Sequence, residues 1–391
     1  MDNKPRANDE KVLDEVLFIG ETEAARERNR KMLLDYDYDK YCSALTGFAG
    51  QDLQRIAILK WKEAIRVRIG SRGNYKAGMT RMDNGRLVLA ACRNNNSQDP
   101  VLKAFNIFVY QSEDEGISWV ETGKTVLYGK EPSLTALPDG SLFMTSQPAY
   151  SMGPGIFQED MNVYRSLDGG HTWDGAVLKG NRDYPRNLII EPDGSLLMIR
   201  SMKCTYWYQE GERNPNLQIA RSYDGGYTWN FTEAIVDWDY CGFMEISAVR
   251  LKDGRLLAAL RQQTPWTRGE SFGRTVLTES SDDGISWTKP RAVGNMGEVH
   301  AYLTELNDGR IVLTYSNYHL PFGVCAIVSY DYGKTWDTEN PVQLALSADF
   351  YAGWPVTCQL PDGSLITSYA TTAYYKQPPD ITTCEVVKWK L

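Results

Sequence analysis

Three carboxylates, five cations and a histidine carry the reactive chemistry of this sequence, and their spacing is regular. Counting nine residues back from Gly85, Gly140, Gly254, Gly309 and Gly363 lands on Lys76, Glu131, Glu245, His300 and Trp354, while Arg186 stands eight before Gly194. Counting six to eight residues forward from the same glycines lands on Arg93, Gln147, Arg200, Arg261, Asn317 and Tyr369. Almost all twelve are polar, yet the segments that carry them are apolar. Strands entering a packed core do not place Lys, Glu and Arg at matching points unless those points face a wet cavity. Five of the twelve are cations: Lys76, Arg93, Arg186, Arg200 and Arg261. On a chain of net charge −8, cations at matching points of like segments imply, where those points meet, an anionic ligand, a carboxylate held by guanidinium forks. Glu131 and Glu245, with Asp99 in the polar run Asn94–Asp99, are the available acid/base groups.

The glycines that set this count belong to a repeat. Asp-Gly or Asn-Gly, followed by Arg or Ser and then Leu or Ile, occurs at 84–85, 139–140, 193–194, 253–254, 308–309 and 362–363. Such a dipeptide between two strand-forming runs is a strong hairpin signal. A second pattern, Ser-x-Asp-x-Gly-x-x-Trp, runs in phase at Ser112–Trp119, Ser166–Trp173, Ser222–Trp229, Ser280–Trp287 and Ser329–Trp336. Six hairpins make six units of about 55 residues, each a small antiparallel sheet, and sheets repeating at this period predict an all-β, six-bladed β-propeller. In each box the Asp is expected to accept backbone N–H bonds, the Gly to supply a positive φ, and the Trp to pack on the neighbouring sheet. Five identical acids cannot serve one site, so the boxes read as structural.

The sixth box is absent. Glu385–Trp389 falls where the third strand of the last unit belongs, and Trp61–Val67 has the form of an outer strand. Residues near 61–69 are therefore expected to close the ring on the last sheet, removing two open edges. Residues 1–55 read as a helical N-terminal extension, with Asn8 as a cap and a second charged helix over about 22–34, and 56–391 as the propeller.

Composition excludes several classes. No window approaches a membrane-spanning apolar run, and the acidic balance argues against a general nucleic-acid binder. The first residues lack a basic stretch followed by an apolar core, so the chain as written reads as cytoplasmic. Seven scattered cysteines without a C-x-x-C pair read as reduced structural thiols. Three histidines and no calcium-type loop give no metal site, and no cofactor is expected.

The boxes resemble the Asp-box, or bacterial neuraminidase repeat, of the sialidase superfamily, over about 61–391. Unit four is the most specific match. Met244–Val249, then Asp253–Leu256 and Arg261, is similar to the sialidase stretch that holds a catalytic Glu and a substrate-binding Arg. The resemblance implies that Glu245 polarises a nucleophilic Tyr and Arg261 grips a sugar carboxylate. Arg93 and Asp99 resemble the family's unit-one Arg and its Asp general acid. Three departures accompany it. Lys76 stands where the family has Arg, Trp354 stands where the nucleophilic Tyr falls (Tyr351 lies three residues earlier), and no Arg occurs in Leu320–Gly323.

The resemblance implies a glycoside hydrolase that cleaves a terminal acidic sugar from a glycan. Glycosidic cleavage needs two acid/base groups flanking the bond. Asp99 or Glu131 is expected as acid/base, and Glu245 as nucleophile or as base for Tyr351. Lys76, Arg93, Arg186, Arg200, Arg261, Gln147, Asn317 and Tyr369 are expected to bind substrate, and Trp354 to stack on its ring. A polysaccharide lyase using His300 and Tyr302 as base and acid, and a non-catalytic glycan-binding propeller, are the alternatives.

Overall fold

The computed structural model describes residues 64–94, 105–123, 125–147, 160–178, 185–201, 217–236, 242–263, 273–295, 297–318, 321–348, 350, 352–372 and 382–391. The expected helical extension of residues 1–55 lies outside them, as do Asp99 and Tyr351. The described residues contain no helix; their strands build six antiparallel sheets, one per repeat unit, as the hairpin count predicts, and a short parallel ladder joins Ile235–Val236 to Ser286–Trp287. The first blade runs outward from Tyr75–Arg81 through Leu87–Asn94 and Phe105–Ser112 to Val120–Glu121, with Leu127–Tyr128 as a further short outer segment. The other five blades have four strands each.

The ring closes as expected. Ile65–Ile69 pairs antiparallel with Thr383–Trp389, Ile65 opposite Lys388 and Ile69 opposite Cys384, so the last blade takes its outer strand from the other end of the described chain. Joining the ends in one ladder leaves no open sheet at the seam.

Six apolar clusters fill the six gaps between adjacent blades. The second strand of each blade explains this. In Leu256–Gln263, Leu256, Ala258 and Leu260 join the cluster shared with blade three, and Leu257 and Ala259 the cluster shared with blade five. A strand buried on both faces must be apolar at every position, which is why these runs show no polar alternation. The box Trp of each blade packs toward the preceding blade: Trp119, Trp173, Trp229, Trp287 and Trp336 each join one such cluster. At the last gap, where no box exists, Trp389 takes that place and donates its indole N–H to Thr367 Oγ1 at 2.9 Å.

The box itself is a closed hydrogen-bond circuit. In the third copy, Asp224 Oδ1 accepts from the Thr228 N–H at 2.9 Å and Oδ2 from the Thr228 hydroxyl at 2.6 Å, while Ser222 Oγ donates to Oδ1 at 2.8 Å and accepts from the Gly226 N–H at 2.8 Å. All five copies carry Ser or Thr at the seventh position (Ser118, Thr172, Thr228, Ser286, Thr335), and each bonds the box Asp. These bonds stabilise the carboxylate and hold Asp224 down at about 2. A carboxylate depressed in the folded state stabilises above its ordinary value near 4, and that contribution is lost as pH falls toward 2. Asp224→Ala is expected to lower the unfolding free energy by roughly 1–2 kcal/mol, as two or three modest hydrogen bonds are lost. Asp224→Asn is expected to flatten the stability loss between about pH 4 and pH 2. Urea titrations of the wild type and both variants across that window check this.

Candidate active site

Each blade except the third carries a β-bulge in its innermost strand. Pairing with the second strand slips between Tyr75 and Gly78, Lys130 and Ser133, Met244 and Ser247, Val299 and Tyr302, and Gly353 and Val356. Inside each slip sits one non-glycine residue in the left-handed region: Lys76 (φ 48°), Glu131 (φ 56°), Glu245 (φ 52°), His300 (φ 56°) and Trp354 (φ 50°). In a regular strand side chains alternate toward the two neighbouring blades, and none points down the axis. An extra residue with reversed φ breaks that alternation and re-aims its side chain. The nine-residue count from the hairpin glycine finds these residues because the hairpin and the bulge lie a fixed distance apart along one strand. In blade three, where the inner strand shortens to Ile189–Ile190, Arg186 reaches the same place with its N–H bonded to Ile246 O at 2.8 Å.

The six residues converge, joined by Arg261. Lys76 Nζ pairs with Glu131 Oε1 and lies 4.2 Å from the Trp354 ring centroid. The His300 ring stacks on Trp354 at 4.5 Å. Trp354 Nε1 donates to Glu245 Oε1 at 3.4 Å, and Arg261 Nη1 donates to Glu245 Oε2 at 3.2 Å and to His300 Nε2 at 2.6 Å. Arg186 Nη2 crosses to Pro355 O at 2.7 Å. None of the seven is more than 8% exposed. The arrangement is thus a packed ring, tighter than the open, wet mouth expected from the sequence. A small pocket remains beside it, lined by Lys76, Glu131, Arg186 and Trp354 with backbone neighbours of the first, second and sixth blades.

Ser316, which the sequence count passed over, orders the far side of the ring. Its Oγ lies 2.9 Å from His300 Nδ1 and accepts the Trp354 N–H at 3.0 Å. Arg261 can only donate, so His300 Nε2 accepts and Nδ1 carries the proton. Close approach requires Gly353 (φ 112°), where a Cβ would lie 1.9 Å from Ser316 Oγ.

Of the second-strand candidates, Arg261 alone is bonded into the ring, and strand parity explains the rest. Arg261 and Gln147 stand seven residues after their glycines and face the next blade; Gln147 ends its strand opposite Lys130. Arg93, Arg200, Asn317 and Tyr369 stand six or eight after and face the previous blade. Arg93 is held by Asn74 Oδ1 (2.9 Å), Tyr110 Oη (3.2 Å) and the Phe108 ring (4.0 Å). Arg200 bonds Gln218 and lies over Phe231, and Asn317 Nδ2 donates to Pro321 O at 3.0 Å. Tyr369 is buried and donates to Glu385 Oε2 at 2.9 Å. A uniform count of seven finds Ser316 as well as Arg261. Tyr302, the acid of the lyase alternative, packs in an apolar cluster with Ala77, Met79 and Val356, where burial pushes its hydroxyl up. The Trp354 ring, expected to stack on a sugar, is already covered by Lys76 and His300.

Complete burial governs the electrostatics. It pushes the Glu245 carboxyl above the usual carboxylate range, opposed by the Arg261 guanidinium and reinforced by Glu131. It holds His300 well below its ordinary value, with Arg261, Arg186 and Lys76 adding to the effect. It lowers Arg186, opposed by Glu245 and Glu131.

Two outcomes are expected. Lys76→Met strands a buried carboxylate and lowers the unfolding free energy by about 3 kcal/mol, and Lys76→Met with Glu131→Gln recovers most of it; denaturant titration of the single and double variants decides. His300 keeps the nitrogen shifts of a neutral, Nδ1-protonated ring as pH falls through 6.5, read by NMR. Because the unfolded chain protonates there and the folded chain does not, His300 contributes a loss of stability below about pH 6.5.

The BNR repeat-like domain family matches residues 187–377. The sialidase of Paraclostridium sordellii is 22% identical over 251 residues, 56% of this chain and 60% of that protein. The chain thus spans about 60% of the length of that relative. Among solved structures, the α-L-arabinofuranosidase of Fusarium graminearum, in complex with an iminosugar inhibitor, superposes with a TM-score of 0.62 at 14% identity, covering 83% of this chain and 97% of that one. The NanB sialidase of Streptococcus pneumoniae superposes with a TM-score of 0.59 at 12% identity, covering 83% and 70%.

Proposed function

We propose that this six-bladed propeller, which the BNR repeat-like domain family matches over residues 187–377, is a glycoside hydrolase of the sialidase superfamily that removes a terminal sugar from a glycan. Sialidase and arabinofuranosidase neighbours support the class. The observation that carries the reading is the unlike setting of two carboxylates in one ring. Glu245 is fully buried and its carboxyl is pushed up, which favours the protonated acid. Glu131 has Oε1 held by the Lys76 ammonium, while its buried Oε2 has no hydrogen-bond partner among the described residues. Two carboxylates set apart by their surroundings take opposite roles.

Glu245 donates its proton to the leaving oxygen as the glycosidic C–O bond breaks. The Glu131 carboxylate faces the anomeric carbon as positive charge develops there, either bonding it until water hydrolyses the glycosyl-enzyme or taking the proton of the water that attacks. This exchanges the roles expected from the family, where Glu245 is the nucleophile or its base; with Trp354 in place of the nucleophilic Tyr, Glu131 fills the gap. Lys76 fixes Glu131, and Arg261, His300 and Trp354 position Glu245. The acidic-sugar expectation loses the open guanidinium set that motivated it. Lys76 and Arg261 are engaged by carboxylates, and Arg93 and Arg200 are held elsewhere.

Glu131→Gln and Glu245→Gln are each expected to lower kcat/KM by at least about 100-fold on a cleaved glycoside. The acid must be protonated to act, so activity falls as pH rises through the Glu245 value, on a limb lying above the ordinary carboxylate range. That limb is absent from the residual activity of Glu245→Gln. Wild-type turnover in both variants overturns the assignment.

A further inference from the structure

Two polar atoms in the ring stand without a hydrogen-bond partner among the described residues: Arg186 Nε–H, a donor, and Glu131 Oε2, an acceptor. Both side chains are more than nine-tenths buried, and both line the same small pocket between Lys76 and Trp354. Their neighbouring atoms are engaged, Arg186 Nη2 by Pro355 O and Glu131 Oε1 by Lys76, so neither group is free to turn away. A buried donor and acceptor left unmade carry the full desolvation penalty until a ligand relieves it.

The pair selects the chemistry of that ligand. A carboxylate would satisfy Arg186 Nε–H but set one anion against another at Glu131 Oε2. An ammonium would satisfy Glu131 and oppose Arg186. A hydroxyl donates and accepts through one oxygen and answers both. We infer that this pocket is a hydroxyl-binding subsite, in which a sugar O–H donates to Glu131 Oε2 and accepts from Arg186 Nε–H.

This rests on the proposed role of Glu131. If that carboxylate meets the anomeric carbon, the hydroxyl within reach of the same carboxylate is the one on the adjacent ring carbon, and its hydrogen bond tightens as charge develops. The substrate class is then a neutral aldose glycoside with a free hydroxyl beside the anomeric carbon. A sialoside has a methylene there and a carboxylate on the anomeric carbon, so it offers the subsite nothing and places an anion nearby. Sites built to bond a hydroxyl reject analogues that lack it far more strongly than apolar pockets reject a missing methylene.

The test uses the full chain with 4-nitrophenyl glycosides of arabinose, xylose, glucose and galactose in both anomeric forms, and the 4-methylumbelliferyl glycoside of N-acetylneuraminic acid. At least one neutral glycoside is expected to be cleaved with kcat/KM at least about 100-fold above the sialoside. The 2-deoxy analogue of the best substrate is expected to fall by at least about 100-fold. Arg186→Lys keeps the charge but not the Nε–H; it should slow the parent substrate by a similar factor and slow the deoxy analogue at least about 10-fold less. Preference for the sialoside, or equal sensitivity of parent and deoxy analogue to Arg186→Lys, overturns the subsite while the hydrolase reading stands; in the second case the pocket holds only water. If nothing is cleaved, the hydrolase reading fails separately, and thermal shift with the free sugars decides the subsite. Stabilisation by a neutral aldose that Arg186→Lys abolishes supports it; stabilisation by N-acetylneuraminate alone, or by none, overturns it.

Discussion

The site depends on a backbone constraint more than on any side-chain contact. A propeller blade buries both of its faces against neighbouring blades, so its regular strand positions are committed to the two interfaces. The bulge with a left-handed residue is what turns a side chain toward the axis, and five of the six inner strands use it at the same height. For L-residues that conformation costs about 1–2 kcal/mol apiece. Glycine would relieve the strain, but the positions hold Lys, Glu, Glu, His and Trp, whose chemistry glycine lacks. Strain of this kind persists only where the surroundings over-determine it, and here six inter-blade cores hold the strands in place.

Gathering four charges around one axis would be untenable in an apolar core. The ring answers this by pairing and by neutrality. Lys76, Glu131 and Arg186 follow one another around blades one to three with alternating sign, and Glu245, whose burial favours the protonated acid, completes the circle with neutral His300 and Trp354. Arg261 reaches in from a second strand to bind Glu245 and His300 together. Adjacent opposite charges in a region of low dielectric attract strongly enough to offset much of the cost of leaving water. The same low dielectric separates the two carboxylates in character, and Ser316 fixes the imidazole so that an acceptor nitrogen faces Arg261.

The propeller was legible because its signals are local and repeated. Asp-Gly dictates a hairpin wherever it occurs, and Ser-x-Asp-x-Gly-x-x-Trp closes its own hydrogen-bond circuit within eight residues. Six of one and five of the other, in phase, leave little freedom in the architecture, and Trp389 brings an indole to the one blade interface that lacks a box. The inner-strand half of the site was legible for the same reason, since Lys76, Glu131, Glu245, His300 and Trp354 keep a constant distance from a local marker. The second-strand half was not. A count of six, seven or eight changes the face on which a side chain lies, and this placed Arg93, Arg200, Asn317 and Tyr369 on the wrong side while missing Ser316.

The chain's own letters determined the number of blades, the closure by residues 65–69 and which residues share the height of the ring, because each follows from spacing along a strand. Only the folded structure decided what those residues do to one another. Whether a lysine faces a substrate or a glutamate, and whether an indole face is open or covered by an imidazole, depends on approaches between blades more than fifty residues apart. Such contacts leave no periodic trace in the sequence, since they are set by the angle at which neighbouring sheets meet.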